Sequence, residues 1–290
     1  MRVCLMIEGQ EGVAWEQWLA LAQAAEAAGL EGLFRSDHYR SIVRGEPAGS
    51  LDAWAVLAAL AACTERLRLG TMVSPVTFRP AAVLAKNAVT VDHISGGRLE
   101  LGIGAGWYEA EHESYGFAFP PQRERLDELD RQLAEITRQL TEADDVFPKP
   151  VQLPRPPIIV GGRARPRTVR AAVAYADEYN TVFPTVEDAR ERRGVLDAAA
   201  KAAGREPLRF SMMASCVVGR DRAETDRRLG EWRALSGRDA APVIHGTADE
   251  VVATLREYEA AGVERAMLQH LVHEDVDMVA VLGEVATGLM

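Results

Sequence analysis

Short apolar runs alternate with longer amphipathic stretches from one end of the chain to the other. Residues 3–8 read as a strand, and 15–28 carry a helical period that stops at Gly29. Further strands are predicted at 32–36, 67–73, 98–103, 157–160, 179–183, 208–218 and 265–271. Helices are predicted at 51–63, with Asp52 near the start, and at 80–94, stopped by Gly96-Gly97. The same period recurs at 123–140, 167–176, 186–203, 223–236, 249–261 and 276–288. Pro166 heads one of these helices, where the amide it lacks would have no partner anyway. Strict strand–helix alternation implies a parallel sheet with crossover helices. Eight such units in 290 residues predict an α/β protein, a (β/α)8 TIM barrel with insertions after some strands. One domain spanning 1–290 is the simple organisation. A doubly wound sheet is the alternative, because periodicity alone does not close a barrel.

Composition narrows the function. Hydrophobic residues make up 48% of the chain, enough for a sizeable core. No uninterrupted apolar stretch reaches the length of a membrane-spanning helix, so no membrane partner is expected. The N-terminus runs from Met1 straight into the first strand without a basic, apolar and small-residue signal pattern, which implies a cytoplasmic protein. A net charge of −10 argues against a nucleic-acid partner, which needs a basic footprint. Cys4, Cys63 and Cys216 are far apart and odd in number. They fit a reducing compartment and form neither a disulfide framework nor a metal site.

In this class of barrel the chemistry sits on the loops after the strands. Ser36-Asp37-His38-Tyr39 follows the second strand. A histidine there can give or take a proton near neutral pH, and Asp37 either orients it or faces elsewhere. Gly102-Ile103-Gly104-Ala105-Gly106-Trp107 follows the fourth strand. It is not a dinucleotide fingerprint, which wants glycine where Trp107 stands and a helix directly after. Its glycines would let a flat ring or a phosphate approach the backbone. Gly161-Gly162-Arg163 follows the fifth strand and feeds a helix start, with Arg165, Arg167 and Arg170 close by. Free backbone N–H groups and local positive charge make this either a phosphate seat or a solvated basic helix end. His270 and His273 are three apart with no evident third ligand, so no metal is expected. None of the three lysines ends a predicted strand, which disfavours a Schiff-base enzyme.

Taken together, these segments resemble the luciferase-like monooxygenases and, within them, the oxidoreductases that use the deazaflavin coenzyme F420. The resemblance spans almost the whole chain and rests on several motifs in order. They are residues 6–12, 34–39 and 69–75, the run Val91-Asp92-His93-Ile94-Ser95-Gly96-Gly97-Arg98, and residues 102–107 and 157–162. It implies that His38 is catalytic and handles a proton beside the reactive ring, with Asp37 lining the same pocket. It implies a non-proline cis peptide at Met72–Val73, behind the ring. Ala105 and Gly106 match backbone contacts to the cofactor's side chain. Gly161 and Gly162, with Arg163 beside them, match the phosphate side, and His93 is structural. The sugar-phosphate dehydrogenase of this group has a catalytic glutamate where this chain has Trp107. An apolar substrate pocket wall of Trp107 and Tyr39 is therefore expected, with a small-molecule substrate. Residues 141–147 form an abrupt connection where relatives usually carry a longer one. Relatives are often dimers, which makes a homodimer the expectation by analogy. The implied reaction is hydride transfer between reduced F420 and a small organic substrate. The alternatives are an FMN-dependent monooxygenase using oxygen and a non-catalytic flavin-binding protein.

Overall fold

The computed structural model describes residues 1–45 and 47–290. In chain order the elements are β1 (Arg2–Ile7), α1 (Trp15–Ala27), β2 (Gly32–Arg35), α2 (Ala53–Cys63), β3 (Arg68–Thr71), β4 (Ser74–Pro75) and α3 (Ala81–Ser95). They continue with β5 (Leu99–Gly104), α4 (Glu109–Tyr115), α5 (Gln122–Thr137), β6 (Ile158–Gly162), α6 (Pro166–Tyr175), β7 (Glu178–Val182) and α7 (Val186–Ala202). The remainder is β8 (Arg209–Gly219), α8 (Arg222–Ser236), β9 (Ile244–Thr247), α9 (Ala248–Ala260), β10 (Arg265–His270) and α10 (Asp277–Gly288). Eight parallel strands, β1, β2, β3, β5, β6, β7, β8 and β10, form a closed barrel. Closure comes from β10, which pairs with β1 on one side and with β8 on the other. This excludes the doubly wound alternative. No helix among the described residues is long and apolar enough to cross a membrane.

Local chemistry explains where helices begin and stop. Asp52 caps α2 by accepting from the backbone N–H of Trp54 and Ala55, at 3.0 and 2.9 Å. Thr185 and Asp188 form a reciprocal capping box on α7, and Thr247 and Glu250 one on α9. Gly96, at φ +63°, ends α3 in the left-handed conformation that glycine adopts without steric cost. Beyond Thr137, α5 runs on into a π turn, Arg138–Glu142. The chain then straps across α3. His93 bonds Lys149 O at 2.7 Å, and Asp92 accepts the N–H groups of Val151 and Gln152. His93 is thus a structural anchor on the side of the barrel.

Alternation along the strands sorts the side chains. Val3, Leu5 and Ile7 of β1 pack outward against the helices, while Cys4 and Met6 point into the lumen. The lumen is filled by Cys4, Met6, Phe34, Met72, Ile159, Met213 and Met267. Beneath them, at the strands' N-terminal ends, lies a buried ionic layer. Arg265 Nη2 meets Glu100 Oε2 at 2.5 Å and Glu178 Oε2 at 2.7 Å. Arg68 also pairs with Glu100, and the Arg265 guanidinium lies 5.1 Å from the Phe34 ring centre. A solid core below leaves the opposite mouth as the place where a ligand enters.

Three elements were not predicted: the two-residue β4, β9 and α4. β9 runs parallel to the upper half of β8, outside the barrel, with Cys216 opposite Ile244. Its four residues include Gly246 and give no alternating signal. α4 occupies seven residues of the stretch after β5 that had no predicted structure.

Candidate active site

His38 stands at the end of β2 with its side chain 15% exposed. Its Nδ1 lies 2.8 Å from Glu111 Oε2. Glu111, on α4, is fully buried, and its Oε1 accepts the backbone N–H groups of Tyr39 and Arg40. Glu111 therefore fixes both the imidazole and the loop carrying it. Burial works to lower the His38 pKa, but the hydrogen bond and charge of Glu111 outweigh it, and the pKa is raised. Burial likewise works against the ionised Glu111, and the bonds from His38, Arg40 and Tyr39 hold its pKa below the ordinary value. With Nδ1 committed to the carboxylate, Nε2 is the atom left to exchange a proton.

Asp37 faces elsewhere. Its Oδ2 accepts from Ser74 Oγ at 2.6 Å and pairs with Arg79 Nη1 at 2.6 Å. Arg79 reaches on to Asp52 Oδ2 at 2.8 Å and Tyr39 Oη at 3.0 Å. This network ties the loop after β2 to the loop after β3. The resemblance puts Asp37 in the pocket lining; here its Oδ2 is a buried tether, and its Oδ1 is buried with no hydrogen-bond partner among the described residues. Tyr39 is also turned aside. Its ring packs with Phe78, Phe117 and Tyr115, at 5.2, 5.8 and 5.3 Å between centroids. The rings beside His38 are Trp107, edge-on at 5.8 Å, and Tyr108 at 6.2 Å. Trp107 is 62% exposed and forms an outer wall.

The Met72–Val73 peptide is cis. The glycines around it have a different use from the one their pattern implied. A Cβ on Gly102 would lie 2.0 Å from Thr71 O, and one on Gly104 would lie 2.6 Å from Val73 Cγ2. A Cβ on Gly161 would sit 3.3 Å from Val73 Cγ1. These glycines admit the protein's own bulge, which leaves Val73 standing between β5 and β6. Gly106 takes a positive φ, +77°, as the chain turns from Ala105 toward Trp107.

The basic cluster after β6 is only half available. Arg167 pairs with Asp127 at 2.5 Å and Asp130 at 3.3 Å, and Arg170 reaches Asp130 at 3.5 Å. Arg163 and Arg165 are exposed and make no ion pair among the described residues. Tyr179 Oη accepts from Ala164 N at 2.8 Å and bonds Thr168 Oγ1 at 3.0 Å, holding the turn before α6. Gly161 and Gly162 stay partly exposed at its lip.

Sequence reasoning assigned no role to Glu8, Gln269 and Glu111. Glu8 and Gln269 lie two residues beyond Met6 and Met267 and so take inward positions above the apolar lumen. Gln269 Nε2 donates to Glu8 Oε1 at 2.6 Å, and Gln10 Nε2 donates to Glu8 Oε2 at 2.8 Å. Glu111 was missed because Glu109, Glu111 and Glu113 look alike in sequence. Only the phase of α4, itself unpredicted, sets one of them inward.

His270 and His273 lie elsewhere, behind β10. Burial pushes His270 down to about 4 and His273 well below its ordinary value, so both are neutral core groups. No group of three candidate metal ligands assembles among the described residues.

A closed parallel barrel with a buried histidine–glutamate pair at its C-terminal mouth defines a (β/α)8 barrel. The luciferase-like monooxygenase family model matches residues 3–284, and the chain belongs to that family. An uncharacterised protein of Mycobacterium tuberculosis is 32% identical over 201 residues, covering 64% of this chain and 67% of its own. Among solved structures, an F420-dependent secondary alcohol dehydrogenase bound to an F420–acetone adduct superposes with a TM-score of 0.80. It is 18% identical, over 100% of this chain and 99% of its own. The oxygenating constituent of a Pseudomonas putida Baeyer–Villiger monooxygenase, in complex with FMN, has a TM-score of 0.79. It is 17% identical, over 100% of this chain and 99% of its own. At such identities these likenesses bear on the fold.

The dyad carries a testable consequence. Glu111→Gln removes the charge that favours imidazolium, so the His38 pKa is expected to fall. The alkaline limb of the pH–rate profile should move to lower pH with it. In stability terms the raised His38 pKa contributes most below the ordinary histidine value. That contribution is lost as pH rises through the raised value.

Proposed function

We propose that this enzyme transfers a hydride between reduced coenzyme F420 and a small organic substrate at the barrel mouth, with His38 supplying or accepting the accompanying proton. The observation that carries this reading is the His38–Glu111 pair. Hydride delivery to a C=O, C=N or activated C=C requires a proton at the neighbouring atom. A histidine whose pKa is raised by a buried carboxylate, beside an apolar floor, is suited to give it. The surrounding residues suit a flavin-type group. Val73 stands between two glycine-bearing strands as a backing, and Ala105 and Gly106 turn close by. Gly161, Gly162 and the exposed Arg163 lead into the first turn of α6, where backbone N–H groups favour a phosphate.

When bound, the deazaflavin supplies a hydride from its C5. The protein's own part is orientation and proton handling. Glu111 keeps the Nδ1 proton in place, so that Nε2 faces the reaction. Asp37, Ser74 and Arg79 hold the His38 loop against the loop carrying the cis peptide. Met6, Met72, Met213 and Met267 exclude water from below. Oxidation in the reverse direction uses the same groups with the proton moving onto His38.

FMN-dependent monooxygenation is the second reading, supported by the FMN-bound structural neighbour of equal fold similarity. Fluorescence titration with F420 and separately with FMN discriminates the two. Tight F420 binding with weak FMN binding is expected. The reverse order, with oxygen consumption on reduced FMN, would transfer the enzyme to the oxygen-using branch. Binding of neither would remove both readings.

A further inference from the structure

Glu8 enters the chemistry described so far only through its charge, which helps to raise the His38 pKa. It belongs to the first of the family-like motifs, and it is 9% exposed at the barrel mouth. The other carboxylates near His38 each have a cationic partner within the chain. Glu111 is bonded to His38 and two backbone amides, and Asp37 uses Oδ2 to bond Ser74 and the Arg79 cation, while its Oδ1 has no partner among the described residues. Glu8 has no ion pair among the described residues; its protein partners are the neutral amides of Gln10 and Gln269.

A carboxylate offers about four acceptor positions, and two are used here. Both oxygens accept an amide N–H, which a glutamine with its single acceptor oxygen would not match. Its remaining acceptor positions, buried at the mouth and without a donor from the chain, are open to a partner that comes from outside it. Two neutral amides hold the carboxylate in place without neutralising it, one from each side. Gln10 is itself held, since Ser36 Oγ donates to its Oε1 at 2.5 Å.

We propose that Glu8 is the substrate-recognition group of the mouth. Its carboxylate accepts a hydrogen bond from the N–H or O–H pole of a small neutral or cationic substrate, while a carboxylate or phosphate pole is repelled. This rests on the mouth being the active site, and it holds for either cofactor. The exposed Arg163 and Arg165 lie on the far lip after β6, so the negative charge of Glu8 and the positive charge of the anion seat are separated.

The test begins with cofactor-loaded protein. Failure to load with either cofactor defeats the proposed function itself and is read before any substrate probe is added. Benzylammonium, benzyl alcohol and benzoate are then titrated by calorimetry near neutral pH. Benzylammonium is expected to bind at least about tenfold more tightly than benzoate, the scale of one charge-bearing hydrogen bond. Benzyl alcohol should fall between them. Glu8→Gln should erase that ratio while cofactor affinity stays within about threefold of the parent. Gln269→Met removes a competing donor and leaves the charge, so it should keep or sharpen the preference for benzylammonium. General damage to the mouth would not produce these opposite responses. Benzoate binding as tightly as benzylammonium, no saturable binding of either donor probe, or a preference that survives in Glu8→Gln would overturn the assignment. A Glu8→Gln protein that loses cofactor affinity without changing the probe ratio would overturn it too. Glu8 would then serve the cofactor's ring N–H.

Discussion

Replacing His38 with alanine is expected to lower turnover by about a hundredfold to ten-thousandfold, the range spanned by positioned general acid–base groups. Cofactor affinity should change little, because His38 makes its one strong side-chain bond to Glu111 and not to the Gly161–Arg163 turn. Fluorescence titration and steady-state kinetics on the same preparation separate the two effects. A protein that only stores flavin needs no proton donor, so unchanged turnover in His38→Ala would count against an acid–base role. Glu111→Gln should give a milder loss with a displaced pH profile. The two substitutions together should cost little more than His38→Ala alone, since Glu111 acts through the imidazole.

The second large effect concerns the floor of the barrel. Arg265→Met would leave Glu100 and Glu178 facing each other, both buried, and should destabilise the protein by about 3–5 kcal/mol. In the parent, burial works to raise the Glu100 pKa, but Arg265 and Arg68 hold it down to about 2. Burial, with Glu100 close by, raises that of Glu178. The stability that Glu100 draws from its partners is present above the ordinary glutamate value of 4.5 and is lost as pH falls through about 2. Without Arg265 both carboxylates are pushed toward protonation. The stability gap between variant and parent should therefore narrow as pH falls from neutral toward 4.5. Urea denaturation at several pH values measures it. A gap independent of pH would mean that Arg265 acts through packing and not through charge.

The barrel was legible because its strands, all but the eleven-residue β8 of six residues or fewer, alternate with helices along the chain. What escaped were elements too short to show a period. The four-residue β9 and seven-residue α4 draw their stability from β8 and from the loop after β2. Losing α4 meant losing Glu111. His38 stood out by its place after a strand, but its partner comes from 73 residues away, a distance no local pattern encodes. Asp37, adjacent in sequence, points to Ser74 and Arg79. The glycines closing β5 were conspicuous, yet the first neighbours of Gly102 and Gly104 are Thr71 and Val73. A glycine pattern reports that something approaches the backbone closely and does not say what. The arginines after β6 looked like one cluster, but α5 supplies Asp127 and Asp130 to half of them.

The central claim is that a flavin-type cofactor occupies the mouth above Met72 and Val73. A crystal structure of the protein with its preferred cofactor tests this most directly. The expected result places the ring against the Met72–Val73 bulge within reach of His38 Nε2, with a phosphate at Gly161, Gly162 and the first turn of α6. A ring bound elsewhere, for example in the open groove lined by Trp15, Arg44, Leu51 and Tyr115, would contradict it.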